Sequence, residues 1–283
     1  MTPIKSLSIV GFLFLILLQN QSPFTNTELS SFYSGSRDAM IDFIIFTPPG
    51  YEYSTERYPV LYFLHGSSGN HYLYWGAISQ YVQDADGNAG AWISSLIEVG
   101  EIPPLIIVTP DDNDGQWGET NQEMITEELI QHIDANWRTI PNRTGRAIEG
   151  FSMGGMGASR YSAELSELYC SSIIMAAPHS DELVPAWETN KEKILANELE
   201  VRLVVGTEDP QLDSMTFLNE NLNTLEIPHQ FELLPNIGHN VGEIYNVVGL
   251  KGLQFHAECF QRAKPILKYP IYIPNVIKYH IPF

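Results

Sequence analysis

The chain has 283 residues, of which 44% are hydrophobic and 17% are charged, so it can bury a sizeable core and is not globally disordered. Its 34 acidic residues outnumber its 15 basic residues and give a formal net charge of −19. Such a surface repels phosphate backbones and anionic lipid head groups, which makes nucleic-acid binding a poor hypothesis.

The N-terminus is typical of an export signal. Lys5 supplies the positive charge, and residues 7–18 form the unbroken apolar run LSIVGFLFLILL. This run is shorter than the roughly 20 residues that a membrane span needs. We therefore expect a signal peptide over residues 1–22, a secreted or periplasmic protein, and no stable membrane span. Because no A-x-A cleavage pattern follows, an uncleaved N-terminal anchor stays an alternative.

After the signal, short apolar runs alternate with helical patterns. The runs predict strands, several of them buried on both faces, over residues 40–47, 59–65, 105–109, 146–149, 171–176, 201–205 and 231–234. The helical patterns begin at a capping box, Thr120-x-x-Glu123, and continue over residues 153–165, 214–225 and 241–260.

This alternation predicts an α/β fold with a mostly parallel central sheet and helices on both faces. Residues 40–47 predict an additional edge strand or hairpin. We expect one domain over residues 23–263. Residues 177–199 fit less well and could cap the C-terminal edge of the sheet. Residues 264–283, with four prolines, three lysines and no acid, form a tail of unknown role.

The two cysteines, Cys170 and Cys259, allow one disulfide in an exported protein. Two separately buried thiols are the alternative, since the sequence does not show whether the two Cα atoms come within bonding reach.

The strongest chemical signal is GFSMG at residues 150–154, which matches G-x-S-x-G between a predicted strand and a predicted helix. A nucleophile elbow needs this sharp turn, with glycines around a serine in a strained conformation. Ser152 is thus the candidate nucleophile, and the N–H of Met153 is the first candidate oxyanion donor. A glycine-rich loop that only packs closely is the alternative.

A second small-residue loop, HGSSG at residues 65–69, follows the first buried strand. In this type of fold that loop supplies the second oxyanion donor, for which we choose the N–H of Ser67. These residues could also be simple turn residues. We expect His65 to be a structural residue at the strand end.

An activated serine needs a base, and the base needs an orienting carboxylate. His239 follows a strand at the same sheet edge as the elbow, and this favours it as the base. His229 precedes its strand, His65 precedes the nucleophile, and His256 lies inside a helix.

The loop after residues 201–205 contains two candidate acids, Glu208 and Asp209. Asp209 is favoured because it lies further into the turn and Pro210 can start the next element. Glu208 is the second candidate. The alternative without a catalytic role is that the carboxylate at this place is an exposed helix cap.

Four motifs, in chain order, resemble the esterase D and feruloyl esterase group, which also contains mycolyltransferases of the antigen 85 type. They are His65-Gly66, GFSMGG at 150–155, GTED at 206–209 and GHN at 238–240. The resemblance spans about residues 40 to 260 and is most specific over 127–156. It implies an α/β-hydrolase fold, a triad of Ser152, Asp209 and His239, and oxyanion donors at Ser67 and Met153.

Metal and cofactor signals are weak. The sequence lacks HExxH, and two cysteines cannot build a cysteine-rich zinc site. The acidic run at residues 111–115 lacks the EF-hand spacing, so it predicts a solvated loop, with cation binding as the alternative. We expect neither a metal nor a cofactor. Trp75 and Trp117 are expected on loops that leave strands, where each is either a substrate-binding platform or simple packing.

The leading hypothesis is a secreted serine esterase that forms an acyl-enzyme on Ser152. The resemblance, taken together with export, implies a small or polysaccharide-linked ester substrate and a feruloyl- or acetyl-type carbohydrate esterase. The alternatives are acyl transfer to a sugar hydroxyl by the same triad and a non-catalytic binding protein on this scaffold. The sequence leaves the oligomeric state open.

Overall fold

A computed structural model describes residues 22–81, 87–112 and 117–262. In this part of the chain an eight-stranded sheet has the order β1-β2-β4-β3-β5-β6-β7-β8. The strands are β1 (Thr27–Ser34), β2 (Ala39–Phe46), β3 (Val60–Leu64), β4 (Ile106–Pro110), β5 (Arg146–Phe151), β6 (Ser171–Met175), β7 (Glu200–Gly206) and β8 (Gln230–Leu234).

The hairpin of β1 and β2 lies at one edge of the sheet, and β2 pairs antiparallel with β4. This confirms the additional hairpin expected at residues 40–47. The other neighbours, from β4 through β8, pair in parallel. Every residue of β3, β4, β5 and β6 is buried, as expected of parallel strands covered on both faces. The predicted fold class is therefore confirmed.

Helices connect the parallel strands, and a further helix follows β8. They are α1 (Leu73–Ser79), α2 (Ala89–Glu98), α3 (Glu119–Glu123), α4 (Ile130–Asn136), α5 (Met153–Glu164), α6 (Ser180–Thr189), α7 (Lys191–Ala196), α8 (Leu212–Thr224) and α9 (Val241–Arg262). A π-helical segment, Met124–Leu129, joins α3 to α4.

Two local expectations about these helices were wrong. The capping box at Thr120 is not formed, because α3 begins at Glu119 and Gly118 occupies the cap position without a side-chain bond. Residues 177–199 do not form a separate cap. They supply α6 and α7, which connect the parallel strands β6 and β7, and α6 packs against α5 and α8.

Cys170 and Cys259 form a disulfide, so the alternative of two separate thiols was wrong. The bridge joins the residue before β6 to the last turns of α9, and its Cα atoms lie 6.1 Å apart. Because Cys170 precedes its strand, the bridge lies at the edge of the sheet opposite the strand ends that lead to Ser152.

The expected signal peptide and the tail at residues 264–283 lie outside the described residues, apart from Ser22. Among the described residues, no helix combines the length and the apolar character that crossing a membrane requires.

Removing the disulfide should lower stability while leaving the distant strand ends in place. The bridged cysteines are 89 residues apart, so the bridge restricts the unfolded chain strongly. We expect the double substitution Cys170→Ala/Cys259→Ala to lower the free energy of unfolding by about 2–4 kcal/mol. Urea denaturation of the oxidised wild type and the variant measures this difference. An unchanged unfolding midpoint would contradict it.

Candidate active site

Ser152 lies on the turn between β5 and α5, with φ 57° and ψ −122°. A non-glycine residue at positive φ is strained, and the surrounding structure must hold it there. The N–H of Ser152 donates to the carbonyl of Met175 on β6 (2.9 Å), and its carbonyl accepts from Met156 (3.0 Å). The turn therefore has the strained conformation that the G-x-S-x-G pattern predicts.

Two glycines allow this turn because backbone passes where a side chain would stand. A Cβ at Gly150 would lie 2.1 Å from the carbonyl oxygen of Gly154. A Cβ at Gly154 would lie 2.0 Å from the carbonyl oxygen of Leu64, at the end of β3. Neither approach is compatible with any side chain, so α5 can start against the sheet only with glycine at these positions.

The structure brings the three predicted triad residues together. His239 Nε2 lies 2.9 Å from Ser152 Oγ, and His239 Nδ1 lies 2.9 Å and 3.0 Å from the two carboxylate oxygens of Asp209. A carboxylate can only accept, so Nδ1 carries the proton and the lone pair of Nε2 faces the serine hydroxyl. This arrangement can take a proton from Ser152.

Burial and a backbone hydrogen bond, independent of His239, fix the orientation of the Asp209 side chain. Its side chain is fully buried, and Oδ1 also accepts the N–H of Gln211 (2.8 Å). A buried carboxylate with hydrogen-bonded oxygens keeps one orientation, which in turn fixes the imidazole. Glu208, the second candidate, is exposed, and its carboxylate is not among the partners of His239 in the described chain.

Backbone hydrogen bonds join the loops that carry the acid and the base. The N–H of Thr207 donates to Leu234, and the N–H of Glu208 donates to the carbonyl of Ile237 (3.0 Å). The hydroxyl of Thr207 accepts the N–H of Asn236 (2.9 Å), which has φ 59°. The two loops therefore form one unit at the carboxyl ends of β7 and β8.

The other candidate histidines have structural contacts, as expected. His229 lies before β8 and contacts the carbonyl of Ile227 and the side chain of Asn219. His256 is buried inside α9. His65 is buried at the end of β3, with Nδ1 2.8 Å from the carbonyl of Gly66.

The loop that follows β3 packs against the nucleophile. A Cβ at Gly66 would lie 3.1 Å from Ser152 Cβ, which places the next residue, Ser67, beside the elbow. Ser67 is exposed, and Met153 is the first residue of α5. Within the described residues, neither of their N–H groups donates a hydrogen bond to the protein. Both amides are thus available to an incoming oxyanion, although their role stays a prediction.

Neither tryptophan can serve as a binding platform, because both side chains are fully buried. Trp75 lies in α1 rather than on a loop, and its indole N–H donates to Thr109 (2.9 Å). The indole N–H of Trp117 donates to the carbonyl of His65 (2.8 Å). Both residues pack in the core and form hydrogen bonds near the ends of β4 and β3, so the packing alternative is correct.

At its two described residues, Asp111 and Asp112, the acidic run differs from the expected solvated loop. Residues 113–116 lie outside the described residues, but Asp112 is buried, with Oδ1 3.4 Å from His65 Nε2. Asp111 contacts His71 Nδ1 at 3.0 Å. His65, Asp111 and Asp112 could together offer three ligand atoms to a cation. Because His65 begins the loop at residues 65–69, its contacts with the two carboxylates also suit a purely structural role.

Sequence reasoning missed one contact of the base. The ring of Phe151, the residue before the nucleophile, lies 4.6 Å from the ring of His239 between centroids. It shields one face of the imidazole and limits its rotation. An aromatic residue inside the G-x-S-x-G motif was the only signal for this contact. The sequence does not show that Phe151 packs against a loop almost 90 residues away.

Comparison with known proteins identifies the family. Residues 34–245 match the family described as "Putative esterase". The chain belongs to this esterase family. A xylanase/feruloyl esterase of Xylanibacter ruminicola is 32% identical over 157 residues, which are 51% of this chain and 20% of that protein. An esterase of Mycobacterium tuberculosis is 31% identical over 146 residues, which are 48% of this chain and 29% of that protein. The chain thus matches less than a third of the length of either relative.

Solved structures show the same α/β-hydrolase fold. A ferulic acid esterase superimposes with a TM-score of 0.70 at 23% identity, covering 83% of this chain and 98% of that one. The feruloyl esterase module of Clostridium thermocellum, a mutant complexed with sinapinate, gives 0.68 at 16% identity, covering 83% and 89%. An S-formylglutathione hydrolase of Agrobacterium tumefaciens gives 0.63 at 19% identity, covering 85% and 98%.

The glycine requirement of the elbow can be tested directly. Gly150→Ala places a methyl group against the Gly154 carbonyl, so we expect the free energy of unfolding to fall by at least about 2 kcal/mol. Gly76→Ala is the matched control, because a Cβ there meets nothing within 4 Å. Thermal denaturation compares the two. Equal melting temperatures would show that the close approach at Gly150 is not required.

Proposed function

We propose that this protein hydrolyses carboxylic esters through an acyl-enzyme on Ser152. The observation that carries the proposal is the hydrogen-bonded series from Ser152 Oγ to His239 Nε2 and from His239 Nδ1 to Asp209. A serine hydroxyl is a weak nucleophile until a base removes its proton, and this series supplies the base and its orienting group.

His239 takes the hydroxyl proton as Ser152 Oγ attacks the ester carbonyl. Negative charge develops on the carbonyl oxygen, which accepts hydrogen bonds from the N–H of Met153 at the start of α5 and from the N–H of Ser67. His239 then protonates the departing alcohol. Water, deprotonated by the same imidazole, attacks the acyl-enzyme and releases the acid. Asp209 stabilises the imidazolium in both steps.

For the substrate we propose a feruloyl- or acetyl-type ester of a carbohydrate, acted on outside the cytoplasm. The support is a relative described as a xylanase/feruloyl esterase, together with neighbours that hold sinapinate or ferulic acid. The apolar run at residues 7–18 supports export. An acidic surface is compatible with neutral polysaccharide esters and disfavours anionic polymers.

The triad assignment has matched controls within the chain. We expect Ser152→Ala, His239→Asn and Asp209→Asn each to lower kcat for p-nitrophenyl acetate by at least about 1,000-fold, because the three groups act as a unit. Glu208→Gln and His229→Asn change neighbouring or rival residues of the same types and should retain wild-type kcat. Activity that survives Ser152→Ala would disprove the acyl-enzyme assignment.

The acyl specificity is tested with methyl ferulate beside p-nitrophenyl esters of increasing chain length. A feruloyl esterase gives the highest kcat/KM with methyl ferulate, and an acetyl esterase gives it with the acetate. A maximum at long chains would contradict the proposed substrate class. Adding xylo-oligosaccharides as acceptors separates hydrolysis from acyl transfer, because transfer yields acylated sugar instead of free acid.

A further inference from the structure

A buried carboxyl group lies directly below the elbow. Glu149 is on β5, three residues before Ser152, and is 2% exposed. The proposed chemistry does not use it. Burying a carboxyl group costs several kcal/mol unless hydrogen-bonding partners compensate for lost water. A buried carboxyl group that has hydrogen-bonding partners here therefore restricts the positions of the elements that supply those partners.

The partners of Glu149 come mainly from α9. The Tyr245 hydroxyl donates to Glu149 Oε1. His256 Nε2 lies 3.4 Å from Glu149 Oε2, and His256 Nδ1 lies 2.8 Å from the hydroxyl of Ser171 on β6. We refer to Glu149, Tyr245, His256 and Ser171 as the Glu149 cluster. It joins α9 to β5, the strand that leads to Ser152, and to the neighbouring strand β6.

Tyr245 reaches the carboxyl by lying along its own helix. Tyr245 and His256 are three turns apart on α9 and contact the same carboxyl group. A Cβ at Gly249 would lie 2.8 Å from Tyr245 Cδ1, so the tyrosine ring occupies the space that a side chain there would take. Burial, and then the Glu149 charge, raise the pKa of Tyr245 well above its usual value. Its hydroxyl therefore keeps its proton and donates.

The cluster contacts elements next to three of the proposed groups, Ser152, His239 and Ser67. β5 ends at Phe151, next to Ser152. α9 begins at Val241, directly after the loop that carries His239, and the Asn240 side chain accepts the N–H of Gly242 at its start. The ring of Tyr74 on α1, the helix after the Ser67 loop, lies edge-on to Tyr245 at 5.3 Å between centroids.

We propose that Glu149 is a positioning residue of the esterase, which holds α9 against β5 through Tyr245 and so sets the approach of His239 to Ser152. This inference rests on the proposed function. Reacting groups that are displaced by about 1 Å can lose on the order of 100-fold in rate. Tyr245 lies one turn into the helix that begins two residues after His239, so its contact is close enough to matter.

The test uses the full chain with two variants that remove the same bond from opposite sides. Tyr245→Phe removes only the donor hydroxyl, and Glu149→Leu removes the acceptor. We expect each to lower kcat about tenfold with KM within twofold of wild type, and to slow labelling of Ser152 by a fluorophosphonate in the same proportion. The double variant should lose no more than either single variant.

Glu149→Gln and Tyr169→Phe are the controls. Glutamine keeps an acceptor for the Tyr245 hydroxyl, so it should restore most of the kcat lost in Glu149→Leu. Tyr169→Phe removes another fully buried phenol hydroxyl, which lies before β6 and outside the cluster, and should leave kcat unchanged. If Tyr245→Phe lowers the melting temperature but leaves kcat and labelling unchanged, the cluster is only structural and the proposal is wrong.

A readout without turnover separates this proposal from the proposed function. The proton on His239 Nδ1, bonded to Asp209, gives a downfield NMR resonance that reports the position of the imidazole. We expect Tyr245→Phe to shift or broaden it and Tyr169→Phe to leave it in place. If the wild type has no esterase activity but its resonance responds to Tyr245→Phe in this way, only the esterase assignment is contradicted. An unchanged resonance in Tyr245→Phe contradicts the positioning role.

Discussion

The site depends on how closely α5 approaches the sheet at the end of β5. The backbone reverses within one residue, Ser152, whose positive φ is held by a hydrogen bond to β6. The reversal requires bare backbone at Gly150 and Gly154, where any Cβ would occupy the place of a carbonyl oxygen. One steric constraint thus decides three things together: the exposure of the hydroxyl, the direction of the helix that follows, and the contact of that helix with the end of β3.

The parallel sheet then collects the remaining groups. β5, β7 and β8 all run in one direction, so the loops after them meet at one edge although they are far apart in sequence. A Cβ at Gly206 would lie 2.0 Å from the carbonyl oxygen of Ile237, which shows how tightly the acid and base loops pack. The triad needs no long excursion of the chain, and each member stands a few residues beyond a strand end.

The short distance between each triad residue and a strand end explains why the sequence could predict the triad. Ser152, Asp209 and His239 follow recognisable strands within one to five residues, so strand direction places all three at one edge of the sheet. The burial of Trp75, Trp117 and Asp112 depends on which helix covers which strand, and local sequence carries no such information. The same holds for Glu149, whose partners on α9 are about 100 residues away. Its position beside the apolar residues Ala147 and Ile148 of a buried strand was the one visible sign.

The disulfide changes the outcome when a peptidase cleaves the chain. Asp209 and His239 both lie within the covalent loop that Cys170 and Cys259 close. If a peptidase cuts an exposed turn inside that loop, such as the one around Glu226, the two pieces remain one molecule. The strand pairing of β7 with β6 and β8 can then hold acid and base in place. A nicked chain of this kind differs from the intact one on a reducing gel and hardly at all in its folded form.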